Sequence, residues 1–196
     1  MTPLLTGVFA SQISGHLDTF TPTGSYDALA TYTVPSGGMA SITLSGLPTG
    51  GQYKHLQIRV KARTGQSSAG HNIGTYIRFN NETSGYKWHE VFSIGTGGLG
   101  VYSDSAQWIY TATYSPRSGD TSGVFSAQVI DLVDYASTNK YKTVRTLSGD
   151  DTGSYGFVGL MTGVYQSLNP INTINLYTEG GGWAEGSSVS IYGIKG

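Results

Sequence analysis

Apolar and polar positions alternate most strictly over His55–Arg63. Leu56, Ile58, Val60 and Ala62 fall on one face, and His55, Gln57, Arg59, Lys61 and Arg63 on the other. A period of two is the signature of a strand with one buried face, because successive side chains of an extended chain point to opposite sides. Looser versions of the pattern occupy Tyr26–Val34, Ala40–Leu44, Thr75–Asn80, Trp88–Ile94, Gln107–Tyr114, Val124–Val133, Tyr141–Leu147, Tyr155–Met161, Ile171–Tyr177 and Ser188–Ile194. Turn-forming clusters stand between them, such as Pro35-Ser36-Gly37-Gly38, Pro48-Thr49-Gly50-Gly51 and Gly180-Gly181-Gly182. Roughly eleven short strands so punctuated predict an all-β fold, a two-sheet antiparallel jelly-roll-like β-sandwich. A single domain is expected over residues 21–196.

Residues 1–20 follow another rhythm. Leu5, Phe9, Ile13 and Leu17 recur every four positions, with Leu4 and Val8 beside them, which is the spacing of one helical face. Gly7 and Gly15 each weaken a helix by ~1 kcal/mol relative to Ala, so such a helix is marginal alone. Two readings compete: an arm packed on its own sandwich, and an attachment arm that orders against another chain. A third, an export signal, lacks the positively charged start such signals carry.

Composition narrows the chemistry. Gly (29), Ser (23) and Thr (23) supply 75 of the 196 residues, while charged residues are only 12%. The net charge of −1 leaves no general basic field for nucleic acid. The absence of cysteine excludes disulfides, Cys-ligated metals and a thiol nucleophile. No apolar run approaches the ~18–20 residues of a membrane-spanning helix, so membrane insertion is not expected. Aromatics at 12%, mostly Tyr, supply enough apolar area for a core.

Motifs for enzymatic chemistry are sparse, and no catalytic residue, cofactor or metal is expected. Gly95-Thr96-Gly97-Gly98-Leu99-Gly100 matches Gly-x-Gly-x-x-Gly, but no helix pattern follows to present its amides to a pyrophosphate, so it reads as a flexible turn. His16, His55, His71 and His89 lack metal-ligand spacing. Of Glu82, Glu90, Glu179 and Glu185, Glu90 with Glu179 or with Glu185 would serve glycoside hydrolysis only if the fold joins them across a cleft, and scattered exposed carboxylates are the simpler reading. Asp150-Asp151-Thr152-Gly153 offers calcium-type oxygens without the regular loop pattern, and reads more simply as a solvated turn. Asp134 is expected to end the strand that begins near Val124.

Aromatic residues carry the stronger signal. Tyr86, Trp88, Trp108 and Trp183 lie near loop-rich segments and are candidate contacts for a glycan or a protein partner. Asn80, Asn81 and Gln107 are suited to hydrogen-bonding sugar hydroxyls. For Trp88 and Trp108 the competing reading is a core plug between sheets. Trp183, set among Gly180–Gly182 and Gly186, is expected at the surface or an interface. The stripe of Arg59, Lys61 and Arg63, with Arg78 beside it, reads as a solvated face or a contact for an acidic partner.

Several segments, taken in order, carry a resemblance. They are Ala10-Ser11-Gln12-Ile13-Ser14-Gly15-His16-Leu17, Ser25-Tyr26-Asp27-Ala28-Leu29-Ala30, Tyr53-Lys54-His55-Leu56-Gln57-Ile58-Arg59 and Ile77-Arg78-Phe79-Asn80. Further along come Ile130-Asp131-Leu132-Val133-Asp134-Tyr135-Ala136-Ser137, Tyr141-Lys142-Thr143-Val144-Arg145 and Ile191-Tyr192-Gly193-Ile194-Lys195. Over almost its whole length the chain resembles small virion structural proteins of tailed bacteriophages, a tail-fibre-like group. These motifs are strand and turn pieces, so no functional residue is carried over. The resemblance implies an oligomeric component of the virion exterior, made in the bacterial cytoplasm. Other virion proteins and a host-surface glycan are its implied partners, and a trimer is favoured. A capsid decoration protein and a free carbohydrate-binding module are the alternatives.

Overall fold

The alternation around Leu56 becomes a strand whose apolar face is sealed: Leu56, Ile58 and Ala62 are fully buried. It is one of twelve strands in the computed structural model, which describes residues 25–68, 73–153 and 155–196. In order these are β1 (Tyr26–Thr33), β2 (Ser41–Ser45), β3 (His55–Ala62), β4 (Thr75–Phe79), β5 (Tyr86–Ile94) and β6 (Leu99–Ala106). The remainder are β7 (Ile109–Ala112), β8 (Ser126–Val133), β9 (Lys142–Asp151), β10 (Gly156–Tyr165), β11 (Thr173–Thr178) and β12 (Ser188–Ile194). The arm expected over residues 1–20, with Leu5, Phe9, Ile13 and Leu17, lies outside the described residues.

The strands form a two-sheet antiparallel β-sandwich, as their patterning predicts. The larger sheet runs β1-β12-β3-β8-β9-β10-β5-β6 and the smaller β2-β11-β4-β7. Leu56, Ile58, Ile130 and Leu132 of the large sheet share one buried cluster with Ile42, Ile77, Ile174 and Leu176 of the small one. Because the small sheet has half the strands, it covers only part of the inner face. A second, smaller cluster of Phe92, Ala112 and Phe157 sits apart from the main core.

The first and last described strands pair at one edge. Tyr26 stacks on Tyr192 at 5.0 Å between ring centroids, and Lys195 Nζ lies 3.3 Å from Asp27. Asp27 also accepts the Tyr53 hydroxyl at 3.0 Å.

Three expectations are corrected. The Gly95–Gly100 stretch is only partly a turn, since Leu99 opens β6, the far edge of the large sheet. This strand has no alternation to detect because neither of its faces is well covered: Leu99 is 80% and Val101 72% exposed. Second, several glycines sit inside strands. A Cβ at Gly163 would fall 2.8 Å from Ile109, and one at Gly193 would fall 2.5 Å from the Tyr53 ring. Gly163 is a socket for Ile109 from the opposite sheet, and Gly193 one for Tyr53 from the connection before β3. Third, Arg63 does not extend the Arg59–Lys61 stripe. The strand ends at Ala62, and the Arg63 guanidinium turns inward to donate to the carbonyls of Thr121, Val124, Asp120 and Ser118 at 2.8–3.3 Å. Arg78 stands on the other sheet.

Candidate functional site

The four candidate aromatic contacts separate into core and surface. Tyr86 is buried and stacks on Tyr165 at 4.8 Å, and its hydroxyl accepts the Phe79 N–H at 2.9 Å. Trp88 is a core plug, edge-on to Tyr110 at 5.1 Å. Trp183 overturns its expected exposure: it is 1% exposed, and its indole N–H donates to the Leu176 carbonyl at 3.1 Å. Gly181 and Gly182 hold φ of +71° and +67° and lie too close to the backbone of residues 65–66 and 39 for any side chain. Their role is close approach, which drives the indole inward. The same glycines leave an open cleft of about 1000 Å³ between residues 37–40, 63–65, 118–125 and 181–186. Only Trp108 stays at the surface, half-buried.

Trp108 belongs to a platform that the sequence does not reveal. On the outer face of the small sheet, Tyr76 pairs in register with Tyr177 of β11 on one side and Tyr110 of β7 on the other. Two residues along, Arg78 pairs with Asn175, whose partner in β2 is Thr43. Tyr76 stacks on Tyr177 at 5.2 Å, leans on Trp108 at 4.8 Å and meets Tyr110 edge-on at 6.4 Å. The Arg78 guanidinium carbon lies 5.3–5.5 Å from the ring centroids of Tyr177, Trp108 and Tyr76. Its Nε donates to the Gln107 carbonyl at 3.1 Å. Among the described residues, no carboxylate pairs with Arg78 and its terminal nitrogens have no hydrogen-bond acceptor.

Glu179 lies on the same face, four residues beyond Asn175. It accepts the Tyr110 hydroxyl and, at 2.8 Å, the Gly74 N–H. Burial raises the Tyr76 phenol above its ordinary value against the pull of Arg78, and burial with the Glu179 bond raises Tyr110. Both phenols are therefore neutral hydrogen-bonding groups near neutral pH. Asn175 is 3% exposed; its amide N–H donates to Thr43 at 3.1 Å, while its Oδ1 has no partner among the described residues.

The outer face of the large sheet is of another kind. Val129, Leu147, Leu160, Val91 and Val101 stand opposite one another across β8, β9, β10, β5 and β6 in one register row. All are exposed, from 37% for Val129 to 72% for Val101, and Val158 and Leu99 extend the band. The next row is polar, with Arg145 bonded to Asp131 at 2.7 Å.

The remaining expectations are resolved residue by residue. Glu90 is enclosed by the sandwich, its carboxyl bound by Thr113, whereas Glu179 belongs to the platform and Glu185 lines the cleft beside Trp183. Burial raises the Glu90 pKa, the Thr113 bonds opposing it. Asn80 is occupied in holding the chain, donating to Pro170 and accepting from Asn172 and Thr173. Asp134 does end β8, at φ +54°. Asp150 turns inward instead of forming a solvated turn. Burial first, then Asp120 and Asp151, lift its carboxyl to about 7. Among the described residues, no three His, Asp or Glu side chains gather as a metal site.

No known family's sequence model matches the chain, and no curated protein does. Among solved structures it is similar to a legume lectin-like domain from Entamoeba histolytica, at 11% identity, with 87% of this chain and 90% of that chain covered. The TM-score is 0.22, at which the likeness carries no argument.

Proposed function

We propose that the chain is a non-enzymatic structural component of a tailed-phage virion exterior, of tail-fibre or receptor-binding type. The observation that carries this reading is the aliphatic row of Val129, Leu147, Leu160, Val91 and Val101, exposed across five neighbouring strands. At ~4.8 Å per strand the row extends ~19 Å, and contiguous apolar surface of this kind marks interaction sites. Beside it β6 is a sheet edge with no strand paired to its outer side among the described residues, and Asp104 is the strand's sole charge. Such an edge is a template for pairing with another chain. The natural neighbour is a second copy, giving a homo-oligomer in which few charges need desolvation; it is the resemblance to phage virion proteins, not a residue pattern, that favours a trimer.

Support also comes from the sequence resemblance, and from a cysteine-free chain that suits assembly in a reducing cytoplasm. In purified particles that carry the protein, its copy number should match the tail. A number on the scale of the capsid lattice would make it a decoration protein, and absence from the particles would overturn the reading. Mass photometry of the isolated chain should find oligomers, with a monomer at every concentration refuting self-assembly.

A further inference from the structure

The geometry points to an acidic-glycan binding site on the outer face of the small sheet, formed by Tyr76, Arg78, Trp108, Tyr177 and Glu179. The inference deepens the receptor-binding reading and rests on it only for the origin of the ligand.

Three observations converge on this ligand class. First, four aromatic rings are gathered on one face of the small sheet, and of these only Tyr110 also packs against the core. Their mutual packing leaves half-buried faces, which suit the apolar C–H face of a pyranose ring. Second, Arg78 brings a permanent positive charge to that surface, and among the described residues no carboxylate pairs with it. The rings and the Gln107 carbonyl hold the guanidinium in place, and among the described residues its terminal nitrogens keep their donors for a planar anion. Third, the polarity is graded along the strands. Arg78 marks one end, the tyrosines the middle and Glu179 the other, ~13 Å away at four residues of rise.

A sugar seated on the rings therefore places an acid substituent at Arg78 and its hydroxyls toward Glu179 and the tyrosine phenols. A nucleobase would also stack on such rings. However, Arg78 is the only cation of the small-sheet strands, and a nucleic-acid backbone requires several.

The carboxylate and the sulfate of acidic glycans share the chemistry that Arg78 recognises, so the probes must separate them. The full chain is titrated with oligogalacturonate, sialyllactose and chondroitin sulfate oligomers, and with neutral galacto-oligosaccharides as reference. Trp108 reports binding through its emission, since Trp88 and Trp183 are buried. At least one acidic probe should bind and the neutral reference should bind about tenfold more weakly or not at all. Arg78→Gln should cost that preference. Arg78→Lys should retain part of the affinity with a steeper salt dependence, and Tyr177→Ala should weaken acidic probes about fivefold or more. Circular dichroism and thermal melting verify that each variant is folded, and Tyr177→Phe serves where Tyr177→Ala is not.

Failure of every acidic probe overturns the inference, as does equal affinity for acidic and neutral glycans. Leu160→Asp, on the opposite sheet, should bind the acidic probe as the unaltered chain does. That variant separates the glycan site from self-assembly, so either reading can fall without the other.

Discussion

The two outer faces of this sandwich are built from the same strand geometry and come to opposite ends. On the small sheet, Tyr76, Tyr110, Tyr177 and Trp108 pack on one another and on Arg78, so the face is structured before anything binds. On the large sheet, Leu147, Leu160 and Val101 stand side by side, and among the described residues no layer covers them. Aromatic rings satisfy each other edge-on and stacked, and tolerate water through their polar tips. Aliphatic side chains have no polar tip, and only a second surface can remove them from water. The first face is suited to a reversible ligand, the second to a permanent neighbour.

The most drastic way to break this contrast is to place a charge in the aliphatic row. Leu160→Asp should weaken self-association by about 100-fold or more, because a charge buried in an interface goes uncompensated. Tyr177→Asp should leave association unchanged. If sedimentation shows that both variants dissociate the oligomer, the division of labour between faces is wrong.

A second test concerns the layer between the faces, where Thr146, Ser148 and Asp150 line the inward side of β9. The carboxyl of Asp150, raised to about 7, holds its proton more tightly folded than unfolded. It therefore supports the fold while protonated, and this contribution is lost as pH rises from the unfolded value through about 7. Asp150→Asn should match the parent below pH ~4 and exceed it by about 2–4 kcal/mol above neutrality, as read from urea midpoints across pH. A constant gap would mean that Asp150 is ionised throughout.

Smaller effects sharpen the comparison within each face. A double-mutant cycle on Tyr76 and Tyr177 should return about 0.5–1.5 kcal/mol of coupling, and one on Leu147 and Leu160 in the dissociated chain about half of that or less. A similarly small effect is expected at the polar border. Arg145→Ala should cost ~0.2–1 kcal/mol at neutral pH, since its bond to Asp131 is largely solvated. Burial raises the Asp131 pKa but is outweighed by Gln57 and Arg145, so the net shift is downward. The contribution should accordingly be lost as pH falls through the carboxylate range.

The fold was legible where one face of a strand is buried, because burial writes alternation into the sequence. β3 carries Leu56, Ile58, Val60 and Ala62 inward and is unmistakable. β6 has nothing to write, since both of its faces meet solvent, and its glycine-rich opening resembles a turn. Trp183 shows the converse error: glycines that look like slack are there to bring three backbone segments together. The platform was half legible through Trp108. Tyr76 and Tyr177 escape because β4 and β11, far apart along the chain, are joined only by sheet pairing. A usable signal exists in Tyr76-Ile77-Arg78 and Asn175-Leu176-Tyr177, where aromatic and polar residues flank one buried aliphatic.

The pairing of β1 with β12 has a mechanical consequence. Tyr26 lies opposite Ile194, and the Lys195 N–H donates to the Ser25 carbonyl at 3.1 Å. A load drawing residues 25 and 195 apart would open this antiparallel pair from one end, rung by rung, which is the weak direction of a sheet. A load between residue 25 and the small-sheet platform would instead be shared by the packed layers. Held by one end and pulled through its aromatic face, the sandwich resists as a block; gripped by both ends, it unzips.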